Sequence, residues 1–532
     1  MLFRALPLMP ILLSATALTA SAPPPSANVA APLTAARCSA ILGTTSAGLT
    51  VRTARFLAAG PLATGMPGPN GAAAPSIRAP DHCLIEGAIE PRTGADGKPY
   101  SINVQLRVPA DWNGRLMYQG GGGLNGFVGV AYGANSSQAS TSPAALARGF
   151  AVVTTDSGHA MGPNGTGMAD FARDQEARLN YAYQAIGKVT VAAKATLLQL
   201  SGALPNRTYF VGCSNGGREA LTAAQRYPSM FDGVAAGDPA FNLSRAALLA
   251  HYSTRQLRAA KVTATDLRQV GRGAVRKCDG LDGRLDGMIF DAQRCGFTVR
   301  QLECRATGTN GCLPLAKVEA IDRAFRGPLD RAGRPLFASW SYDSGVGQPG
   351  WMTWQTGSLT GLSEEALARY FSMPPMTPEE LDKIDYANAY SRLADVAAIT
   401  DATSTDLSTF RARGGKLLLT TGWSDPIFAP NDLVRWYEKL GADMRATDAG
   451  DAATFARMFL VPGMLHCGGG DALDDFDALD TLVNWVEKAQ APLSIPARGK
   501  AFPGQSRPLC AFPAHAVYRR GEGREASDYV CS

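Results

Sequence analysis

The chain has 532 residues, 45% of them hydrophobic and 18% charged, which is the composition of a globular protein and excludes a disordered or fibrous one. A net charge of +5 over this length, without a run of basic residues, gives no indication of a nucleic-acid partner. The length suffices for one large elaborated domain or for a core domain with a big insertion.

Residues 1–22 have the pattern of an export signal. The basic start MLFR precedes the apolar segment ALPLMPILLSATALTA and small residues suited to cleavage, with the cut at residues 20–22. This segment is too short and too broken by proline to span a membrane, and no later stretch reaches about 18 apolar residues. We therefore predict an exported protein, periplasmic or secreted, without a membrane span; an uncleaved anchor is the alternative.

Strand-like runs alternate with helix-like segments along much of the chain, which favours a mostly parallel sheet with helices on both faces. GRLMYQGGGG, GFAVVTTDSGH and RTYFVGCSNGG each have the pattern of a buried strand that ends in a glycine-rich or polar loop. Residues 242–413 break this alternation and are rich in Gly and Pro. We predict an α/β fold in which residues 32–241 and 414–532 form the core and residues 242–413 form an inserted lid domain.

A candidate nucleophile lies in GCSNGG, where Ser214 occupies a G-x-S-x-G sequence between a strand-like run and the helical REALTAAQRYP. This is the context of the nucleophile elbow, in which glycines allow the tight turn that exposes a serine hydroxyl above the sheet. The core is therefore predicted to be an α/β-hydrolase. A glycine-rich turn with a surface serine is the alternative.

A serine nucleophile needs a histidine base and an acid, which in this fold follow it in the order Ser, acid, His. Asp425 ends the strand-like KLLLTTGWSD, and His466 follows RMFLVPGML and opens a glycine-rich loop. We predict that Ser214 attacks an acyl carbon, that His466 transfers the proton, and that Asp425 orients the imidazole. His515 is the alternative base, although no strand-like run precedes it, and His159 is predicted to be a hydrogen-bonded structural residue.

The tetrahedral oxyanion of such a reaction needs preorganised N–H donors. The backbone N–H of Asn215, directly after the nucleophile, is one candidate. The loop QGGGGLNG supplies the other, because backbone without side chains can come close to the reacting atoms. The sequence therefore predicts an oxyanion hole between the elbow and this early loop.

The ten cysteines of a chain with an export signal indicate disulfides rather than metal thiolates, and the sequence contains no C-x-x-C pair. Although ten cysteines allow many other connections, neighbours along the sequence suggest the pairs Cys38–Cys83, Cys278–Cys295, Cys304–Cys312 and Cys510–Cys531. Cys213 and Cys467 remain, each beside a predicted catalytic residue. If Ser214 and His466 meet, these two cysteines are close enough to form a disulfide; two unrelated buried thiols are the alternative.

The loop CDGLDGRLDGMIFDAQRC places Asp279, Asp282 and Asp286 close together between two cysteines. Carboxylate oxygens on a tight turn suit Ca²⁺, which takes about six to eight oxygen ligands. The spacing is not that of an EF-hand. The residues alone therefore leave two interpretations, a metal site or a set of solvated Asp turns.

The combination of GCSNGGRE, GWSDP and LHCGGG resembles the tannase and feruloyl esterase family, and TTDSGH and YPSMFDGVAAGDPAFN support the resemblance over nearly the whole mature chain. The resemblance implies an α/β-hydrolase core with a large lid, and the triad Ser214, Asp425 and His466. It also implies an oxyanion hole formed by the backbone N–H groups of Gly122 and Asn215. Gly121 is the alternative to Gly122, because the glycine run leaves the register ambiguous.

The resemblance has further implications for disulfides and metals. Members of the family typically contain five disulfides, which matches the pairs suggested above. The resemblance implies a structural Ca²⁺ in the lid, held by the carboxylates of Asp279, Asp282 and Asp286 and by the carbonyl oxygens of Arg284 and Met288. We expect no organic cofactor.

The sequence therefore predicts an exported serine carboxylic-ester hydrolase that cleaves small esters of hydroxycinnamic or hydroxybenzoic acids, such as feruloyl or galloyl esters, through an acyl-enzyme. A hydrolase of terephthalate monoesters is the nearest alternative. It would need a lid cation, which Arg369 could supply, although a plain surface arginine is the preferred interpretation of that residue. A lidded serine peptidase and a non-catalytic binding protein are further alternatives, and the sequence does not determine the oligomeric state.

Overall fold

The structure is a computed structural model that describes residues 32–65, 75–162, 167–305, 311–357, 359–447 and 450–532. The predicted export signal at residues 1–22 lies outside these residues. Within the described ranges, no helix combines the length and the apolar character needed to cross a membrane.

The described chain forms sixteen strands and fourteen α-helices. The strands are β1 (Thr45–Ser46), β2 (Leu49–Leu57), β3 (Gly60–Ala63), β4 (Ser76–Ala79), β5 (His82–Thr93), β6 (Pro99–Pro109), β7 (Arg115–Gln119), β8 (Ala151–Thr155), β9 (Arg207–Cys213), β10 (Gly233–Gly237), β11 (Lys416–Gly422), β12 (Ala456–Val461), β13 (Ser494–Ala497), β14 (Arg507–Cys510), β15 (Ala516–Tyr518) and β16 (Tyr529–Cys531). The helices are α1 (Ala35–Ala40), α2 (Gln175–Leu179), α3 (Ala185–Ser201), α4 (Asn215–Arg226), α5 (Leu243–Ala259), α6 (Ala264–Cys278), α7 (Leu315–Arg326), α8 (Pro349–Gln355), α9 (Thr360–Glu365), α10 (Pro378–Asp382), α11 (Tyr386–Thr400), α12 (Ser408–Ala412), α13 (Pro430–Ala446) and α14 (Ala478–Lys488).

Ten strands form one mixed sheet in the order β1-β2-β5-β6-β8-β7-β9-β10-β11-β12. The half from β8 to β12 is parallel, and the strands from β1 to β6 join it through antiparallel pairs. Because the carboxyl ends of parallel strands meet at one edge, the loops after β7, β9, β11 and β12 gather there. This is the predicted α/β-hydrolase core.

The central strands are buried on both faces, as their apolar sequences require in a parallel sheet. Successive side chains of β9 point to opposite faces, so that Phe210 joins one hydrophobic cluster while Tyr209 and Val211 join another. Helix α3 covers the first face, with Val189 and Leu197 fully buried in the first cluster. Helix α14 contributes to the second cluster, on the opposite face. The sheet therefore forms a rigid support for the loops at its edge.

Residues 242–413 lie between β10 and β11, which are parallel neighbours in the sheet. The described part of this segment contains helices α5 to α12 and contributes no strand to the ten-stranded sheet. Its buried side chains, among them Leu267, Ile321 and Trp351, share one hydrophobic cluster with residues outside the segment such as Phe171 and Tyr181. This arrangement is that of an insertion between two core strands, and the limits of the lid at 242 and 413 stay a prediction.

Five disulfides connect the chain. They join Cys38 to Cys83, Cys213 to Cys467, Cys278 to Cys295, Cys304 to Cys312 and Cys510 to Cys531. These are the five pairs predicted from the sequence.

Candidate active site

Ser214 lies at a sharp turn between β9 and α4. Its φ of 63° and ψ of −126° fall in a region that residues other than glycine rarely adopt, which is the strained backbone of a nucleophile elbow. A Cβ on Gly120 would lie 2.6 Å from the Cα of Gly216, so the glycines allow the loop after β7 to pack directly on the elbow backbone. The predicted elbow and the predicted oxyanion loop are therefore in contact.

Asp425 and His466 follow β11 and β12 and form a hydrogen-bonded pair. The Nδ1 atom of His466 lies 2.8 Å from Oδ2 of the fully buried Asp425. The other oxygen of Asp425 accepts hydrogen bonds from the backbone N–H groups of Ile427 and Phe428, at 2.8 Å and 3.1 Å. The carboxylate is thus fixed on both sides, and its contact with Nδ1 leaves Nε2 of the imidazole to accept a proton.

The disulfide between Cys213 and Cys467 joins the elbow to the histidine loop, with the two Cα atoms 6.0 Å apart. Ser214 lines a pocket together with Trp354 and Phe428. Both aromatic rings contact His466 edge-on, with centroids 5.3 Å and 5.2 Å from the imidazole. Among the described residues the Ser214 hydroxyl makes no hydrogen bond with His466, and such bonds commonly tighten only when substrate binds.

The electrostatic environment of His466 favours its charged form. Burial of the ring lowers its pKa, but the charge and hydrogen bond of Asp425, together with the charge of Asp238, raise the pKa more, so it lies above the ordinary value of a histidine. An imidazole that takes a proton from a nucleophile is stabilised by these carboxylates.

Asp238 is a third buried acid at the site, which the sequence prediction missed. It follows β10, and its oxygens accept hydrogen bonds from the backbone N–H groups of Gly422, at 2.7 Å, and Cys467, at 3.1 Å. Oxygen atoms of Asp238 and Asp425 and a ring nitrogen of His466 all lie within 4.8 Å of one another. Burial, with the nearby charge of Asp425, raises the pKa of Asp238 to about 8. The signal available in the sequence was an acidic residue directly after the strand-like FDGVAAG, beside the elbow strand.

The two candidate loop donors of the oxyanion hole differ in their contacts. The N–H of Gly121 donates to Glu219 Oε2 at 2.9 Å and is therefore already engaged. A Cβ on Gly122 would meet no atom within 4 Å, so open space adjoins that residue. Asn215 is the first residue of α4, where a backbone N–H has no partner inside the helix. These contacts favour Gly122 over Gly121, and the assignment of Gly122 and Asn215 stays a prediction.

Three further residues weighed from the sequence have other partners. His515 lies 3.4 Å from a carboxylate oxygen of Asp291. His159 bonds to the carbonyl of Leu124 at 3.0 Å, and burial lowers its pKa to about 3, so that it remains neutral. Arg369 pairs with Asp170 at 2.7 Å and is half-exposed.

The Asp-rich loop holds its three carboxylates on short turns. Asp279 accepts hydrogen bonds from the N–H groups of Asp286 and Gly287, at 3.2 Å and 3.0 Å. Asp282 is only 1% exposed, and among the described residues its Oδ2 atom has no hydrogen-bond partner. Burial raises the pKa of Asp282 to about 7. A bound cation would offset the cost of a buried carboxylate oxygen without a donor, and the calcium site stays a prediction.

The chain is similar to known proteins over most of its length. The family model for tannase and feruloyl esterase matches residues 83–532. The chain is 35% identical to a mono(2-hydroxyethyl) terephthalate hydrolase of Piscinibacter sakaiensis, over 87% of this chain and 86% of that protein. It is 27% identical to a probable feruloyl esterase of Arthroderma benhamiae, over 81% of this chain and 82% of that protein.

The fold is also that of a solved structure, feruloyl esterase B from Aspergillus oryzae. The TM-score is 0.78 at 24% identity, and the match covers 94% of this chain and 100% of that one. The chain therefore belongs to the tannase and feruloyl esterase family and is a carboxylic ester hydrolase.

Proposed function

We propose that the enzyme hydrolyses esters of aromatic acids, such as feruloyl or galloyl esters, by a serine mechanism through an acyl-enzyme. Ser214 attacks the ester carbonyl while His466 takes its proton, and Asp425 stabilises the imidazolium. The N–H groups of Gly122 and Asn215 hold the oxyanion. His466 then protonates the leaving alcohol, and the acyl group stays on Ser214. In the second half of the reaction His466 takes a proton from water, the water attacks the acyl carbon, and His466 returns the proton to Ser214 as the acid leaves.

The observation that carries the proposal is the composition of the pocket at Ser214. Core and lid both line it, mainly with apolar side chains, and Trp354 and Phe428 contribute aromatic rings beside His466. An aromatic acyl group can stack on or pack edge-on against such rings, and these contacts add to the burial of its apolar surface. The proposal therefore assigns the acyl group, rather than the alcohol, to this pocket.

Terephthalate monoesters are the alternative substrates, since a relative is a mono(2-hydroxyethyl) terephthalate hydrolase. Such a substrate carries a free carboxylate, which is costly to bury without a cation. The described residues that line the pocket include no lysine or arginine, and Arg369 is engaged by Asp170. This composition favours a neutral aromatic acyl group.

The test is a comparison of kcat/KM for methyl ferulate, methyl gallate, mono(2-hydroxyethyl) terephthalate and p-nitrophenyl acetate. We expect the ferulate or gallate ester to exceed the terephthalate monoester. The substrate assignment would be contradicted if kcat/KM were highest for mono(2-hydroxyethyl) terephthalate, or if only p-nitrophenyl acetate were hydrolysed. Turnover of matched aromatic amides would instead indicate a peptidase.

The mechanism is tested separately by Ser214→Ala, with the exposed helix residue Ser391→Ala as the matched control. The first variant should lose both ester hydrolysis and labelling by an aryl fluorophosphonate, and the second should retain both. Full activity of Ser214→Ala would refute the serine mechanism.

We further propose that the chain is exported and binds a structural calcium ion. Five disulfides support an oxidising compartment, because such bonds are rare where thiols are kept reduced. Intact-mass analysis of the exported protein should show a start after one of residues 20–22. In the calcium site the carboxylates of Asp279, Asp282 and Asp286 and the carbonyls of Arg284 and Met288 would supply the ligands; the ion would stabilise the loop rather than take part in catalysis.

A further inference from the structure

Glu219 is a buried acid on α4, one turn after the elbow, that the triad does not use. It is 2% exposed and accepts four hydrogen bonds from three separate segments. Its donors are the backbone N–H of Gly121 at 2.9 Å, Asn125 Nδ2 at 2.7 Å, Ser157 Oγ at 3.2 Å and Asn215 Nδ2 at 3.2 Å. Four donors around one group suit a carboxylate, which only accepts, and not an amide.

The side-chain amide of Asn215 is held on both sides by the same network. Its Oδ1 atom accepts from Arg218 Nε at 2.7 Å and from the Tyr181 hydroxyl at 3.0 Å. Its Nδ2 atom donates to Asn125 Oδ1 at 2.8 Å and to Glu219. The amide thus lies between a buried cation and a buried anion, oriented by both, and it cannot rotate without loss of these bonds. Asn215 is the residue whose backbone N–H is the predicted oxyanion donor of the elbow.

The TTDSGH segment supports the glycine loop from behind. The carbonyl of Asp156 accepts the N–H of Gly126 at 3.0 Å, and the ring of His159 bonds to the carbonyl of Leu124. Ser157, between them, contacts Asn125 as well as Glu219. Loop 120–126 is therefore tied to α4 through one carboxylate and to β8 through the segment that follows it.

From these contacts we infer that Glu219 is a positioning residue for the oxyanion hole. It bonds to Gly121, which precedes the donor assigned to Gly122, and to the side chain of Asn215, which carries the other donor. One carboxylate thereby fixes the separation of the two N–H groups. The inference rests on the proposed serine mechanism, and it extends that mechanism to a residue that touches neither substrate nor triad.

The oxyanion exists only in the tetrahedral intermediate and the transition states beside it, so a misplaced hole lowers kcat while ground-state binding is retained. The test variant is Glu219→Gln, which keeps the shape of the side chain. It replaces one carboxylate oxygen by an NH₂ group, which then faces N–H or O–H donors whose hydrogen bonds it cannot accept. We expect kcat to fall by roughly 10- to 100-fold. This is less than or equal to the loss of about 10²-fold that marks the lower end of the effect of deleting one oxyanion donor. KM should change little.

A second readout separates this role from a general loss of structure. An aryl boronic acid, which forms a tetrahedral adduct with the nucleophile, should bind more weakly to Glu219→Gln in parallel with kcat. Inhibition by the product acid should be unchanged. The matched control is Asp266→Asn in α6, which likewise neutralises a buried acid that bonds to Thr263 and Lys317, remote from the oxyanion loop. It should retain kcat and boronate affinity even if its melting temperature falls.

Ser157→Gly keeps the inference testable if Glu219→Gln fails to fold. It removes one donor to Glu219, and glycine suits the φ of 63° at this position. It should lower kcat by a smaller factor with KM retained. Unchanged kcat and boronate affinity in a folded Glu219→Gln, or in Ser157→Gly when the first variant does not fold, would overturn the inference. Retained activity of Ser214→Ala would instead overturn the proposed function, so the two failures are distinguishable.

Discussion

His466 lies near two buried carboxylates whose contacts differ. Asp425 bonds directly to the imidazole, whereas Asp238 accepts backbone N–H groups from the acid loop and the histidine loop. Burial and the neighbouring charge of Asp425 raise the pKa of Asp238. Asp425 is the acid that bonds directly to the imidazole and can stabilise its charged form.

The acid limb of the pH profile should depend on Asp425. In the proposed mechanism His466 must be neutral to act as base, so kcat/KM is retained above the raised pKa and lost as the pH falls through it. Asp425→Asn removes the charge that raises this pKa while the burial that lowers it remains. The limb should move to lower pH, and kcat should fall by about 10⁴-fold, as in other serine triads.

Measurement of kcat/KM from pH 4 to pH 9 checks this prediction. Asp330→Asn, at an exposed turn in the lid, is the control and should leave the profile unchanged. An acid limb that stays in place in Asp425→Asn would show that another group controls it.

The order of Ser214, Asp425 and His466 along the chain was enough to predict the pair that forms between the last two, because each lies at the end of an apolar strand. Asp238 and Glu219 could not be found in this way. Their importance comes from which backbone N–H groups surround them, and those groups belong to loops far away in the sequence.

At the scale of loops and strands, the bond between Cys213 and Cys467 is the most direct link in the site. It closes a loop across a sequence separation of 254 residues, and loss of such a link in the chain-entropy model lowers the free energy of unfolding by about 5 kcal/mol. The Cys213→Ala, Cys467→Ala double variant should also lower kcat, because the elbow and the histidine loop lose their covalent connection.

The Cys304→Ala, Cys312→Ala double variant is the matched control. Its sequence separation is only 8 residues, which corresponds to about 2.5 kcal/mol in the same model, and it lies in the lid segment outside the pocket lining. Urea unfolding and kcat at a temperature where both variants are folded make the comparison. Equal kcat in the two variants would rule out a positioning role for the Cys213–Cys467 bond.

The strands of the parallel half were predictable, because each ends in a recognisable loop. The antiparallel strands of the same sheet, β1, β2, β5 and β6, were not predicted from the sequence. Strand β5 contains Gly87 and Pro91, and its pairing shifts in register between Ile89 and Arg92, which breaks the simple alternation that identifies a strand.

At the scale of the whole molecule, the Asp-rich loop connects the lid to the C-terminal segment. Asp286 accepts a hydrogen bond at 2.5 Å from Arg507, a fully buried residue of β14. Arg284 extends over the ring of Tyr518 in β15, at 5.2 Å from its centroid. Order in this loop therefore supports the attachment of the lid to the core.

Calcium removal should weaken this attachment. At a free ion concentration about 100 times the Kd, binding would stabilise the fold by about 2.7 kcal/mol. We expect EGTA to lower the melting temperature and excess Ca²⁺ to restore it, while Mg²⁺ does not. Asp282→Asn should abolish the response, whereas Asp330→Asn, an acid in a lid turn away from the cluster, should retain it. A melting temperature that responds to neither EGTA nor Ca²⁺ would contradict the site.

The pocket itself was beyond prediction from the sequence. Its lining combines Gly123, Ser214, Trp354 and Phe428, which come from the early loop, the elbow, the lid and the acid loop. No local pattern relates these positions, since they meet only when the lid helices have packed on the sheet.

The insertion of the lid between β10 and β11 sets the order in which the molecule can be assembled. If the chain enters an oxidising compartment from its N-terminus, as proposed, β10 exposes an unpaired edge until the entire lid and β11 have followed, and an open edge of this kind is prone to aggregate. Over the same interval Cys213 has no native partner, while four lid cysteines emerge before Cys467. Correct pairing thus requires that Cys213 does not form a disulfide with a lid cysteine before Cys467 arrives. We expect that loss of a disulfide isomerase lowers the yield of active enzyme but leaves the stability of the correctly folded enzyme unchanged.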